Sequence, residues 1–168
     1  MKTKDVELYF DITKRVGLDS TAIRSKVGAI MVQNNTIVAM GRNGTPIGDP
    51  GQCETHDNVT KDNVIHAEMN MIFKLANNNC KASDGMVFVS LSPCQRCAEA
   101  FIQCGIKYVF YDEMYRITDG IDYLLQKGVF VKSKKELLEL PRTYDGHIML
   151  CDKDPFHNNP NEVIIKNY

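Results

Sequence analysis

The chain has 168 residues, a formal net charge of −1 and six cysteines. That length fits one domain able to bury roughly two-thirds of its unfolded surface, expected over 1–168, with a core at about 1–131 and a C-terminal helix and irregular tail at about 132–168. The charge creates no global field toward nucleic acid or an anionic membrane, and no apolar run is long enough for a bilayer span. Met1-Lys2-Thr3-Lys4-Asp5 does not lead into the apolar core of a signal peptide. A cytoplasmic protein is expected (host cytoplasm, if viral), with thiols reduced and available to metal.

In chain order, Asp5 to Val16 sets Val6, Leu8, Tyr9, Phe10, Ile12 and Val16 on a broad apolar face at helical spacing, and Gly17 stands where that helix should stop. Val27 to Val32 and Thr36 to Met40 are apolar, β-branched runs joined by Gln33-Asn34-Asn35, the pattern of a β-hairpin. Arg24-Ser25-Lys26 precedes the hairpin and has two readings: cations and a hydroxyl that cradle a phosphate, or a solvated connector with ordinary surface charges.

Gly41-Arg42-Asn43-Gly44-Thr45-Pro46-Ile47-Gly48 follows the second strand. So many glycines imply unusual dihedrals or close approach to a ligand. Asn43 offers a donor and an acceptor to a sugar or a base. The polar run continues through Gln52, Cys53, Glu54 and His56 to about Lys61, a length typical of a functional or mobile loop. Cys53 and His56 have ligand-like spacing for a second, structural metal, with no matching pair nearby.

Asp62 or Asn63 is the expected N-cap of the next helix, with Ile65, Met69, Ile72, Phe73 and Ala76 as its buried stripe, His66 and Glu68 in its first turn, and Asn77-Asn78-Asn79 as its end. Met86 to Leu91 reads as a strand. Ser92-Pro93 then opens a helix with proline in the first turn, Cys94 and Cys97 on one face, and Gly105 closing it. Ile106 to Tyr111 is a strand, followed by an Asp112-to-Arg116 loop at the end where open α/β sheets gather ligand groups. Asp119 caps a short helix ended by Gly128, Val129-Phe130-Val131 is a fifth strand, and Ser133 to Leu140 is a helix with a capping box, Ser133 to Glu136. Beyond Pro141 the chain is polar and proline-broken.

His66, Cys94 and Cys97 supply one imidazole and two thiols, a zinc-favoured set that leaves a fourth position for water. Thiolates at a helix N-terminus have depressed pKa values and ligate at neutral pH. Glu68 beside them is free to move protons. His-x-Glu followed by Pro-Cys-x-x-Cys is the signature of the zinc nucleobase deaminases, in which the glutamate is general acid/base.

The order helix, hairpin, helix, strand, helix, strand, helix, strand points to a three-layer α/β/α domain with a mixed five-stranded sheet. Through Val27-Gly28-Ala29-Ile30, Gly41-Arg42-Asn43-Gly44, His66-Ala67-Glu68-Met69-Asn70, Ser92 to Cys97 and Gly105-Ile106-Lys107, residues 1–131 resemble the cytidine deaminase-like superfamily. Within it the chain is most similar to the deoxycytidylate (dCMP) deaminases, in a form like those of bacteriophages. Arg42 stands where that family commonly has tyrosine.

The resemblance implies zinc-dependent conversion of dCMP to dUMP and ammonia, supplying dUMP for dTMP synthesis. Ala67 N–H and Ser92 C=O would read the pyrimidine edge and Asn43 the sugar. Arg24, Ser25, Lys26, Tyr115 and Arg116 would serve the 5′-phosphate. It also implies a homo-oligomer, a hexamer, activated by dCTP with Mg²⁺ and inhibited by dTTP. The glycine-rich turn is a place for such an effector, at Gly44, Gly48, Glu54 and His56. No nucleic-acid or membrane partner is expected. Two alternatives stand beside this reading: a base deaminase acting on tRNA or single-stranded DNA, and a non-catalytic zinc-stabilised binding module, which leaves Glu68 without a task.

Overall fold

The structure, a computed structural model, describes residues 1–150, the Asp84 side chain excepted. The elements are α1 (Thr3–Leu18), β1 (Gly28–Gln33), β2 (Thr36–Arg42), α2 (Ala67–Asn77), a 3₁₀ turn at Ala82–Asp84, β3 (Met86–Leu91), α3 (Gln95–Gln103), β4 (Tyr108–Glu113), α4 (Asp119–Gln126), β5 (Phe130–Ser133) and α5 (Lys134–Glu139). One five-stranded sheet runs β2-β1-β3-β4-β5. β1 pairs antiparallel with both β2 and β3, whereas β3, β4 and β5 are parallel. The parallel half follows from the helices that join its strands, because a parallel pair needs a crossover. This is the expected mixed sheet in an α/β/α sandwich. The hairpin turn places Asn34 and Asn35 at φ 48° and 58°, the left-handed pair that a two-residue turn demands.

Strand alternation sorts the core into two faces. Ile30, Val32, Phe88 and Phe110 point toward α1, α5 and the segment after Pro141; Ala29, Met31, Val87, Val89, Val109 and Tyr111 point toward α2, α3 and α4. The first face is aromatic at its centre. Phe88 sits 5.1 Å from Tyr9, 5.3 Å from Phe10 and 5.0 Å from Phe110, ring centre to ring centre, within the favoured range for aromatic pairs.

Several boundaries depart from the sequence expectation. Helix α2 starts at Ala67, not near Asp62, because Ile65 is held extended in a bridge to Gly44, with N···O distances of 2.8 and 3.0 Å. Its buried stripe is Ala67, Glu68, Met71 and Leu75, while Phe73 and Ala76 face outward. The expected stripe of Ile65, Met69, Ile72, Phe73 and Ala76 is thus rotated: apolar residues cover several sides of this helix, and packing against β2 selects which are buried. Helix α3 starts at Gln95, with Pro93 ahead of the first turn, because the chain stays extended through Cys94 (φ −74°, ψ 170°).

Gly17 lies inside α1, and Thr118 rather than Asp119 is the residue before α4. Ser133 and Glu136 do form the expected capping box. Past Pro141, Ile148 and Leu150 are buried against α1, and Lys2–His147 and Arg142–Ile148 bridges tie the segment down. The polar tail from Asp152 onward lies outside the described residues. Among the described residues no helix is long and apolar enough to cross a membrane.

Candidate active site

Two helix starts meet on the α2/α3/α4 face. His66 is the N-cap of α2, Cys94 the N-cap of α3, and Cys97 lies in that helix's first turn. Helix N-termini carry unpaired N–H groups and the positive end of the dipole, a setting that favours thiolates and other anions. Two close approaches set the geometry. A Cβ on Gly41 would lie 2.1 Å from the Ala67 carbonyl oxygen, and one on Gly120 would lie 2.1 Å from the Pro93 carbonyl oxygen. Only glycine lets β2 close on the start of α2, and α4 close on the turn that carries Cys94.

His66 Nδ1 lies 3.5 Å from both Cys94 Sγ and Cys97 Sγ, and the three ligand atoms fall within 4.8 Å of one another. Zinc bonds of ~2.3 Å to sulfur and ~2.0–2.1 Å to nitrogen at tetrahedral angles give N···S separations of about 3.5–3.6 Å. The residues present therefore fit zinc. The hydrogen bond from Cys97, with His66 beside it, brings the Cys94 thiol down to about 3; the same bond pushes Cys97 up. Cys94 in turn raises the His66 pKa through their hydrogen bond.

Glu68 is almost fully buried beside this tripod, and burial pushes its pKa up from the ordinary carboxylate value. A carboxyl whose proton is held more tightly is suited to pass it back and forth near neutral pH. The tripod opens into a pocket of about 200 Å³. His66, Ala67, Glu68, Ser92 and Cys94 line it, together with Arg24, Ser25, Asn43, Glu54, Thr60 and Tyr115. Ser92 is fixed by its neighbours: its N–H donates to Glu113 O at 2.8 Å, and its Oγ accepts from Tyr115 N at 2.8 Å.

The structure thus gathers most of the expected site residues into one cavity. Lys26 is not among its lining residues: Lys26 Nζ donates to Leu18 O at 3.3 Å. Arg116 is also off the wall, with its guanidinium 5.8 Å from the Tyr115 ring centre. Asn43 is on the wall, but its Oδ1 accepts from Val27 N at 2.9 Å and its Nδ2 donates to Ser25 O at 2.8 Å. Gly44, Gly48 and His56 lie off the pocket wall, whereas Glu54 is part of it. Cys53 is buried against Thr21, Sγ to Oγ1 3.4 Å, while His56 is exposed. Sequence reasoning missed Ala22, Val27, Cys53, Thr60 and Leu91 as wall residues; Cys53 stood out only for its spacing to His56, and Thr60 is brought to the wall by its bridge to Glu54.

Residues 3–113 match the model of the cytidine and deoxycytidylate deaminase zinc-binding region. The chain belongs to this family. The deaminase resembles the deoxycytidylate deaminase of Enterobacteria phage T4, at 28% identity over 74% of this chain and 88% of that one. It also resembles ComE operon protein 2 of Bacillus subtilis, at 31% identity over 74% of this chain and 68% of that one. Among solved structures, the dCMP deaminase of cyanophage S-TIM5, crystallised with dCMP and dUMP, superposes with a TM-score of 0.77 at 41% identity. That match covers 79% of this deaminase and 98% of the phage enzyme.

Proposed function

We propose that this deaminase converts dCMP to dUMP and ammonia, with His66, Cys94 and Cys97 holding zinc and Glu68 as general acid/base. The observation that carries the reading is the zinc-sized tripod beside a buried Glu68, inside a pocket that also presents Arg24 and Ser25. Bound zinc supplies the Lewis acidity that makes water a nucleophile near neutral pH. Glu68 accepts a proton from the attacking water, delivers it to ring N3, and later passes a proton to the departing amine. Water first adds to C4 to give a tetrahedral adduct; the C4–N bond then breaks as the C4=O double bond forms, so one water is consumed for each ammonia released.

Ala67, the first residue of α2, has an N–H without an acceptor inside its helix, suited to a pyrimidine oxygen. Ser92 C=O is suited to accept from the amine. Arg24 and Ser25 serve the 5′-phosphate, and Tyr115 and Arg116 stand at the same end of the sheet. In this reading the enzyme works in the cytoplasm and supplies dUMP for dTMP synthesis.

Regulation is part of the same proposal: activation by dCTP with Mg²⁺, inhibition by dTTP, and assembly as a homo-hexamer. Support comes from the loop after β2, where Gly48 at φ +93° gives an exposed turn. Asn43 starts that loop and bonds to the 25–27 segment, so ordering the loop would shift the phosphate wall.

The test is ammonia release from dCMP, CMP, deoxycytidine, dCTP and a cytosine-bearing single-stranded oligonucleotide, each repeated with dCTP or dTTP and Mg²⁺. Selective turnover of dCMP is expected, and turnover of the oligonucleotide alone would overturn the substrate assignment. A hyperbolic dCMP curve unmoved by either triphosphate would overturn the regulatory part.

A further inference from the structure

Glu54 is 2% exposed, on the wall of the deaminase pocket. Its Oε1 accepts two backbone hydrogen bonds, from Ile23 N at 3.0 Å and Arg24 N at 3.2 Å. Its Oε2 is shut off from water and has no partner; among the described residues the only other such side-chain oxygen, on Asp112, has Lys14 Nζ 2.6 Å away. A buried carboxylate oxygen left unpaired is costly, and an orphan of this kind at a pocket wall marks a missing donor. The loop that carries Glu54 is held in place by its bridge to Thr60 and by Lys61 N–H bonding to Cys53 O at 2.9 Å. The carboxylate is therefore built into the wall, next to the space a substrate would fill.

If dCMP is the occupant, its chemistry leaves one candidate. The phosphate is anionic and would be repelled by Glu54. Ring N3 and the base carbonyl are acceptors, and the exocyclic amine must lie at the tripod, where the C–N bond breaks. The 3′-hydroxyl is the remaining donor. Asn43, the side chain that the sequence offers to the sugar, already has its amide oxygen and its amide nitrogen bonded to the backbone at Val27 and Ser25.

We propose that Glu54 Oε2 accepts a hydrogen bond from the 3′-hydroxyl of the substrate sugar, while Asn43 holds the 25–27 segment in shape. The proposal rests on the dCMP reading and adds a specificity-determining residue to it. One carboxylate would then do two jobs: Oε1 positions the backbone of Arg24 on the phosphate side, and Oε2 selects a free 3′-hydroxyl. Nucleotides blocked or lacking oxygen at C3′, including an internal residue of a polynucleotide, would be disfavoured.

The experiment compares kcat/KM for dCMP and 2′,3′-dideoxycytidine 5′-monophosphate in the zinc-loaded wild type, in Glu54→Gln and in Glu54→Ala. Losing a hydrogen bond to a charged acceptor predicts a wild-type preference for dCMP on the order of tenfold to a hundredfold. Both variants should narrow that preference to within about threefold by losing activity on dCMP. Equal handling of the two nucleotides by the wild type overturns the proposal without touching the dCMP reading, and needs no variant to fold. An unchanged preference in the variants, with both substrates slowed alike, would make Glu54 a structural anchor only. Failure of the wild type to turn over dCMP at all would overturn the substrate reading and this proposal with it.

Discussion

The two faces of the sheet bury comparable cores and do opposite things. On the α1/α5 face Phe88, Phe110, Tyr9 and Phe10 fill the interior, and the two buried polar side chains that α1 and its C-terminal connection bring, Thr13 and Ser20, are satisfied by Tyr9 O at 2.7 Å and Asn43 O at 2.8 Å. On the α2/α3/α4 face two helix starts converge, Glu68 is buried beside two thiols, and the nearby Glu54 keeps an oxygen without a partner. Unsatisfied or strained polar groups are costly and persist where a ligand completes them. One face is finished by folding alone; the other is finished by what binds.

Five substitutions can break or sharpen that contrast. Glu68→Gln keeps the shape of the buried side chain and removes proton transfer, so kcat should fall by ~10²–10⁴-fold with metal content unchanged. On the opposite face, Phe88→Ala removes the hub of the aromatic cluster and should cost about 3–5 kcal/mol in chemical denaturation, while kcat per folded molecule holds. If Phe88→Ala instead slows the folded enzyme as much as Glu68→Gln does, the faces are not separable.

Arg24→Ala should raise KM for dCMP by the equivalent of ~1.5–3 kcal/mol and leave deoxycytidine nearly unaffected, because only the nucleotide carries the phosphate. Lys26→Ala, with its amine turned toward Leu18, should spare both substrates. The smallest effect belongs to the rim of the apolar face, where Lys14 Nζ lies 2.6 Å from Asp112 Oδ2. The hydrogen bond to Asp112 holds the Lys14 pKa above its ordinary value of 10.5. Its stabilisation is therefore fully present below 10.5 and fades as pH rises through the raised value. Lys14→Met should cost about 1 kcal/mol at neutral pH, with half of the lysine exposed, and the two melting curves should converge above pH 10.5.

Much of this was legible in the sequence because it is local chemistry. His66, Glu68, Cys94 and Cys97 carry their meaning in spacing, and the parallel half of the sheet follows from the helices in its connections. The phase of α2 was not legible: Met69, Met71, Ile72, Phe73 and Leu75 cover much of the helix surface, and which of them are buried depends on contacts with the distant β2 and its following loop. Nor was the division of labour between Asn43 and Glu54, which depends on hydrogen bonds between segments up to 31 residues apart. The role of Gly120 was not legible either, because it emerges only when α4 is seen against the Pro93 carbonyl.

The central claim is that the tripod on the α2/α3/α4 face holds the metal that makes dCMP deamination possible. It is tested most directly by measuring zinc content and ammonia release from dCMP on one sample, before chelation, after chelation and after zinc is returned. About one zinc per chain is expected at the start, with activity lost on chelation and recovered on zinc addition. Undiminished dCMP turnover by protein carrying no stoichiometric metal would contradict it.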